Sequence, residues 1–105
     1  MRRDLRIIAQ LVEPGARVLD LGCGEGELLA YLQEEKDVTG YGLEIEHQKI
    51  TDCISKGVNV IEQDLDNGLG NFATNSFDMV VMTETLQAVK HPDHLIDDML
   101  RVADE

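Results

Sequence analysis

The chain lacks tryptophan altogether and holds only two prolines and two cysteines in its 105 residues, of which 4% are aromatic. Two cysteines are too few for the disulfide framework of a small secreted domain, and unpaired thiols fit the reducing cytoplasm. No stretch reaches the roughly 18 apolar residues that a membrane-spanning helix needs. The basic N-terminus also lacks the apolar core and the cleavage site of a signal peptide. We therefore expect a cytoplasmic protein that does not associate with membranes.

Basic side chains are scarce too. Nine lysines and arginines stand against 21 aspartates and glutamates, which gives a formal net charge of −12. An acidic surface repels phosphate backbones, and the basic residues cluster only at Arg2, Arg3 and Arg6, so we expect no nucleic-acid partner. With this length and 43% apolar residues, the chain suits a single soluble domain with one core.

The most informative segment is VLDLGCGEG, residues Val18 to Gly26, in which an apolar run meets glycines at alternate positions. Those glycines are Gly22, Gly24 and Gly26. Glycine allows a sharp turn and lets a ligand touch the backbone, because no side chain blocks the approach. The free N–H groups at the start of the following helix then face that ligand. The segment predicts a strand, a turn and a helix that together form half of a nucleotide-type site.

The apolar periodicity predicts helices that alternate with strands. The predicted helices cover residues 5–12, 25–36, 46–56 and 93–103, and the predicted strands cover 17–21, 38–45, 58–63 and 77–82. On the third helix, Ile50, Cys53 and Ile54 are predicted to face inward. Alternation of this kind is typical of an α/β fold, a parallel sheet with right-handed crossovers and helices on both faces. With the glycine turn on a central strand, we expect the strand order 3-2-1-4.

Ligands in such sheets bind beyond the carboxyl ends of the strands, and acidic residues stand at three of those ends. Glu44 ends the second strand about 20 residues after the glycines, where a carboxylate can accept both hydroxyls of a ribose. The alternative for Glu44 is a solvated residue that opens the next helix. Asp64 follows the third strand and could accept from an adenine amino group or cap a turn. Asp20 could meet an amino group of the ligand, anchor the glycine turn, or do both.

Four further residues complete the candidate cofactor-binding set. Cys23 lies inside the glycine turn, where a small apolar side chain that packs is the simpler interpretation than a nucleophile. Ile45 and Leu65 directly follow the two acids Glu44 and Asp64. Thr83 follows the fourth strand, so that residues 83–87 would line the other side of the ligand.

The inventory of catalytic groups is thin, and no catalytic residue is assigned. Glu84 fits an exposed loop acid better than a general base. His91 and His94 share one helical turn, and two such ligands do not close a metal site, so we expect no bound metal. The spacing G-x-G-x-G differs from the dinucleotide fingerprint G-x-G-x-x-G, which argues against a nicotinamide-dependent oxidoreductase, and no phosphate-binding P-loop is present.

Together, DLGCGEG, Glu44 and Asp64 resemble the class I S-adenosylmethionine-dependent methyltransferases. The resemblance implies a Rossmann-like fold and S-adenosylmethionine or S-adenosylhomocysteine as the ligand, and an acidic pocket suits a sulfonium cation. A methyltransferase sheet of this class has more strands than the four found here. We therefore expect residues 1–105 to be the N-terminal, cofactor-binding part of a single methyltransferase-like domain, truncated after strand 4.

The resemblance can be narrowed further. The runs GVNVIEQDLDNGL and TLQAV, together with RRDLRIIAQLVEPGARVLDLGCGEGELLAYL, GYGLEIE and SFDMVVMTETLQAVKHPD, resemble the MetW family over nearly the whole chain. This resemblance implies a role in methionine biosynthesis together with a homoserine O-acyltransferase. It leaves open whether the protein transfers a methyl group itself. The alternative is a stand-alone S-adenosylmethionine-dependent methyltransferase that acts on a small molecule.

Overall fold

The computed structural model describes residues 3–82 and 89–103. Its helices are α1 (Arg3–Leu11), α2 (Glu27–Lys36), α3 (His47–Ser55) and α4 (Pro92–Val102). Its strands are β1 (Arg17–Leu21), β2 (Thr39–Glu44), β3 (Val60–Glu62) and β4 (Met79–Met82), and a 3₁₀ turn covers Leu65–Asn67. Every predicted helix and strand is present, and most are one to three residues shorter at one or both ends than the sequence predicts.

The four strands form one parallel sheet in the order β3-β2-β1-β4. The central strand β1 pairs on both sides, so that Val18 lies opposite Gly40 on β2 and Met79 on β4. This confirms the predicted α/β fold and the strand order 3-2-1-4. The carboxyl ends of all four strands consequently meet along one edge of the sheet, where Glu44 and the glycine loop lie.

Two apolar cores cover the two faces of the sheet. One is formed with α1, α2 and α3 and contains Leu5, Ala9, Val12, Val18, Leu28, Leu29, Leu32 and Cys53 among others. The other is formed with α4 and contains Leu19, Leu21, Leu43, Leu65, Leu69, Phe77, Leu95 and Val102. Side chains alternate along a strand, which is why neighbouring residues of β1 belong to different cores. Helices therefore lie on both faces, as predicted.

One predicted core position is wrong. Ile54, which the sequence places on the inward face of α3, is 65% exposed. The fully buried Cys53 sets the inward direction of this helix, and the next residue is rotated from it by about 100°. On α4, Ile96 and Leu100 are likewise 42% and 68% exposed, although they share the apolar spacing of the buried Leu95. None of the described helices is long and apolar enough to cross a membrane.

The segment between β3 and β4, residues 63–78, is tied to α4 by polar contacts. The backbone N–H of Leu69 donates to Asp98 Oδ2 at 2.8 Å. The Arg101 guanidinium donates to the carbonyls of Leu69 and Phe72 at 2.9 and 3.0 Å. These hydrogen bonds fix the conformation of residues 63–78 next to α4. The segment needs them because its only regular secondary structure is one short turn of 3₁₀ helix.

Candidate functional site

The glycine loop between β1 and α2 requires glycine for its backbone conformation. Gly22, Gly24 and Gly26 have φ angles of 69°, 59° and 84°, a left-handed region that other residues seldom adopt. The surroundings of these glycines differ. A Cβ on Gly24 would meet nothing within 4 Å, whereas a Cβ on Gly26 would lie 3.0 Å from the Cys53 sulfur. Gly24 therefore presents bare backbone to open space, and Gly26 packs against α3.

Glu44, at the carboxyl end of β2, binds the glycine loop directly. Its Oε1 accepts a hydrogen bond from the Gly24 N–H at 2.9 Å. Its Oε2 accepts from the N–H groups of Ile45 and Glu46 at 3.0 and 3.1 Å, just before α3 begins. The carboxylate thus joins the glycine loop to the two residues before α3, whose N-cap is Glu46, and it makes no bond to residues His47–Ser55 of the helix itself. A carboxylate has about four lone-pair sites, so acceptor capacity remains for a ligand hydroxyl.

Asp20, on β1, is an acid buried in the sheet. Only 3% of the residue is exposed, and it lies between Gly42 of β2 and Val81 of β4. Burial, and secondarily the charge of Glu44, raise the pKa of Asp20 to about 7. Burial and the neighbouring charge of Glu44 both disfavour the ionised form of Asp20, and a cation or an N–H group nearby would relieve that cost.

Asp64 follows β3 and caps the 3₁₀ turn. Its Oδ1 accepts from the Asp66 N–H at 2.9 Å, which is the turn-capping role that the sequence left as an alternative. The residue itself is exposed, and Leu65 beside it is buried. Ile45, the residue after Glu44, is 56% exposed at the same edge of the sheet. An exposed isoleucine directly after a strand-end acid provides an apolar surface on which a planar ring could lie.

The sequence did not predict a role for Cys53. Its thiol donates a hydrogen bond to the Gly24 carbonyl at 3.2 Å, and its sulfur lies 3.7 Å from the sulfur of Cys23. The two thiols are not joined by a disulfide. Burial raises the pKa of both thiols above their ordinary value. A signal for this contact exists in the sequence, because Cys53 belongs to the predicted inward face of α3.

Some candidate residues lie outside the description or away from the site. Thr83, Glu84 and the rest of residues 83–87 fall in the part of the chain that is not described. The rings of His91 and His94 stack with their centroids 5.3 Å apart. Within residues 3–82 and 89–103, no three metal-ligating side chains come together. The structure therefore brings Asp20, Glu44 and the glycine loop into contact or close proximity, with Asp64 at the next strand end.

Comparison with known proteins places this chain in a family. The family model described as "Methionine biosynthesis protein MetW" matches residues 2–105. The chain belongs to the MetW family. A curated relative, the bifunctional methionine biosynthesis protein MetXA/MetW of Rhodopirellula baltica, is 36% identical over 107 residues. That match covers 94% of this chain and only 17% of the relative.

Several solved structures with the same fold are named as methyltransferases. An S-adenosylmethionine-dependent methyltransferase from Archaeoglobus fulgidus is 25% identical with a TM-score of 0.83, over 95% of this chain and 45% of that one. A complex of a methyltransferase activator with a putative methyltransferase from Haloferax volcanii contains a chain that is 25% identical with a TM-score of 0.80. There the match covers 94% of this chain and 46% of that one. The MetW-family chain thus spans less than half of these structures and has the class I methyltransferase fold.

Proposed function

We propose that this MetW-family chain forms the cofactor-binding part of a methionine biosynthesis protein that binds S-adenosylmethionine or S-adenosylhomocysteine. The observation that carries the proposal is the Gly24 peptide. Its N–H is fixed by Glu44 at 2.9 Å, while the position of the missing Cβ faces space that is empty for 4 Å. Loop and acid are therefore already arranged around a place where a ligand can reach bare backbone.

Each part of the ligand has a candidate partner at this edge of the sheet. Gly22, Gly24 and Gly26 would lie against the methionine part, with Cys23 packed beneath it. Glu44 would accept the ribose hydroxyls, with one oxygen shared with the Gly24 N–H. Asp64 would accept from the adenine amino group through its second oxygen. The apolar sides of the adenine pocket would be Ile45 and Leu65, and Thr83 would lie across from them.

The charges of the site suit a cation. S-adenosylmethionine carries a sulfonium and an ammonium group, and it supplies an activated methyl group when it is bound. Asp20 and Glu44 are close enough that the charge of Glu44 helps to raise the pKa of Asp20. A cationic ligand beside the pair would favour ionised Asp20 and so would bind more tightly than a neutral analogue.

The proposed partner of the whole protein is a homoserine O-acyltransferase. The MetW resemblance implies this partner, and the relative from Rhodopirellula baltica is named as a bifunctional MetXA/MetW protein. Proteins that are fused in one organism are good candidates for association in another. We expect tagged full-length protein to co-purify with the acyltransferase and to change its activity when it is added. If the two proteins are folded and soluble but neither co-purify nor affect the acyltransferase activity, this part of the proposal is wrong.

A second candidate function is a stand-alone methyltransferase that acts on a small molecule. The fold match to the Archaeoglobus fulgidus methyltransferase, with a TM-score of 0.83, favours it. Incubation of the full chain with methyl-labelled S-adenosylmethionine and metabolite extracts separates the two functions. Label transfer in the absence of any acyltransferase supports the methyltransferase. A change in acyltransferase rate without label transfer supports the partner role.

A further inference from the structure

The peptide groups on either side of Gly24 are held from two elements that lie far apart in the sequence. From β2, Glu44 Oε1 accepts from the Gly24 N–H at 2.9 Å. From α3, the Cys53 thiol donates to the Gly24 carbonyl at 3.2 Å. Gly24 has a φ angle of 59°, and glycine can adopt a wider range of φ and ψ angles than any other residue. The hydrogen bonds to its N–H and to its carbonyl therefore restrict the orientation of the two peptide groups.

The thiol of Cys53 is fixed in place by its surroundings. The residue has no exposed surface, and its sulfur lies 3.0 Å from where a Cβ of Gly26 would be. The sulfur of Cys23 lies 3.7 Å from that of Cys53, and the Cys23 thiol is itself 3.8 Å from the Gly24 carbonyl oxygen, a longer contact than that of Cys53. The Cys53 thiol is thus packed between α3 and the glycine loop.

The Cys53 thiol is in the protonated form that a hydrogen-bond donor requires. Only a protonated thiol can donate a hydrogen bond to a carbonyl, and a thiolate would repel the carbonyl oxygen. Burial raises the pKa of Cys53, so the group stays protonated at neutral pH. The same burial disfavours a nucleophilic or redox role, since the thiolate is the reactive form.

We infer that Cys53 is a positioning residue of the glycine loop, which orients the Gly24 carbonyl and N–H for the methionine end of the ligand. The inference rests on the proposed S-adenosylmethionine site. Cys53 would act through Gly24 and would not touch the ligand. Substitution of Cys53 should therefore lower the affinity only for ligands that contact the glycine loop. The affinity for ligands that bind through ribose and adenine alone should not change.

The test compares two ligands on the full chain by titration calorimetry in the presence of a reductant. S-adenosylhomocysteine has the methionine-derived end, and 5′-methylthioadenosine lacks it while keeping ribose and adenine. We expect Cys53→Ala to lower the affinity for S-adenosylhomocysteine by about threefold to tenfold, because one weak hydrogen-bond donor is lost. The affinity for 5′-methylthioadenosine should stay within about twofold. Cys53→Ser restores a donor and should recover at least half of the loss on a logarithmic scale.

Val58→Ala is the matched control. The Val58 side chain lies 3.2 Å from the same Cβ position of Gly26, but it has no donor to offer the loop. We expect this variant to lower thermal stability and to leave the ratio of the two affinities unchanged. If Cys53→Ala does not fold, α-aminobutyric acid at this position, whose ethyl side chain is close to cysteine in size and has no donor, replaces it.

The outcomes separate the inference from the proposed function. If the unaltered protein binds neither ligand, the proposed function fails and the inference fails with it. If the unaltered protein binds both, the site stands, and the variants decide the role of Cys53. Equal weakening of both ligands, an equal effect of Val58→Ala, or no recovery in Cys53→Ser would show that Cys53 only fills space.

Discussion

Glu44 Oε1 accepts a hydrogen bond from the Gly24 N–H at 2.9 Å, across a separation of 20 residues. This bond joins the carboxyl end of β2 to the loop that follows β1. The loop is thus oriented by the same acid that we propose for ribose binding. Preorganisation of this kind lowers the entropy that the protein loses on binding, because the loop is ordered beforehand.

The buried acid Asp20 leads to a prediction about pH. Its pKa in the folded state is raised from 3.8 to about 7, so the folded state binds more protons than the unfolded state between those values. The free energy of unfolding should therefore fall as pH rises through this window, by an amount on the order of 4 kcal/mol. Asp20→Asn should remove this pH dependence. The variant's free energy of unfolding, compared with that of the unaltered protein, should therefore be higher at pH 8 than at pH 4.

Urea unfolding of the full chain and of Asp20→Asn at pH 4, 5, 6, 7 and 8 measures this difference directly. Taking the difference between the two proteins cancels the titration of the acids that are not coupled to Asp20. Parallel stability profiles for the two proteins would mean that Asp20 titrates near its ordinary pKa and is better solvated than its 3% exposure indicates.

Gly26 supplies a second prediction, about stability. Gly26→Ala should destabilise the protein because φ of 84° strains any side chain and because the new Cβ would meet the Cys53 sulfur at 3.0 Å. Gly15→Ala is a matched control, since Gly15 has φ of 77° but nothing within 4 Å of the added atom. The backbone term is about 1 kcal/mol or more in both variants, and the steric term adds to it only at Gly26. Chemical denaturation that gives equal losses for the two variants would contradict the packing described here.

The two thiols provide a third prediction. Burial raises the pKa of both Cys23 and Cys53, so few thiolates are present at pH 8. We expect iodoacetamide to modify both at least about tenfold more slowly in the folded protein than in the denatured chain, with the fully buried Cys53 the slower. Peptide mass spectrometry of timed samples measures each rate. Labelling of the folded protein at the denatured rate would show that the loop opens freely.

Much of the fold could be predicted because its signals are local. The strand Arg17–Leu21 has both ends as predicted, since Gly15 and Gly22 interrupt the apolar run on either side. The parallel order followed from the alternation of strands and helices. The sequence does not determine which face of α3 packs against the core, because Cys53 and Ile54 are both apolar and only tertiary packing decides which of them is buried.

The candidate site could be located from the sequence but not described in detail. Parallel strands bring their carboxyl ends together, so Glu44, Asp64 and the glycine loop were expected at one edge. The bonds from Glu44 and Cys53 to Gly24 depend on where β2 and α3 lie relative to the loop. No local pattern encodes a contact between residues 20 and 29 positions apart, and such contacts become visible only in the folded chain.

The most direct measurement of the central claim is calorimetry of the full chain with S-adenosylmethionine, alongside Glu44→Ala and Glu62→Ala. Glu62 ends β3 opposite Glu44 in the sheet register and is exposed, so its variant is a control for the loss of one negative charge at this edge. The account predicts binding to the unaltered protein, at least about tenfold weaker binding to Glu44→Ala, and a change within about twofold for Glu62→Ala. No binding to well-folded protein, or unchanged affinity in Glu44→Ala, would contradict it.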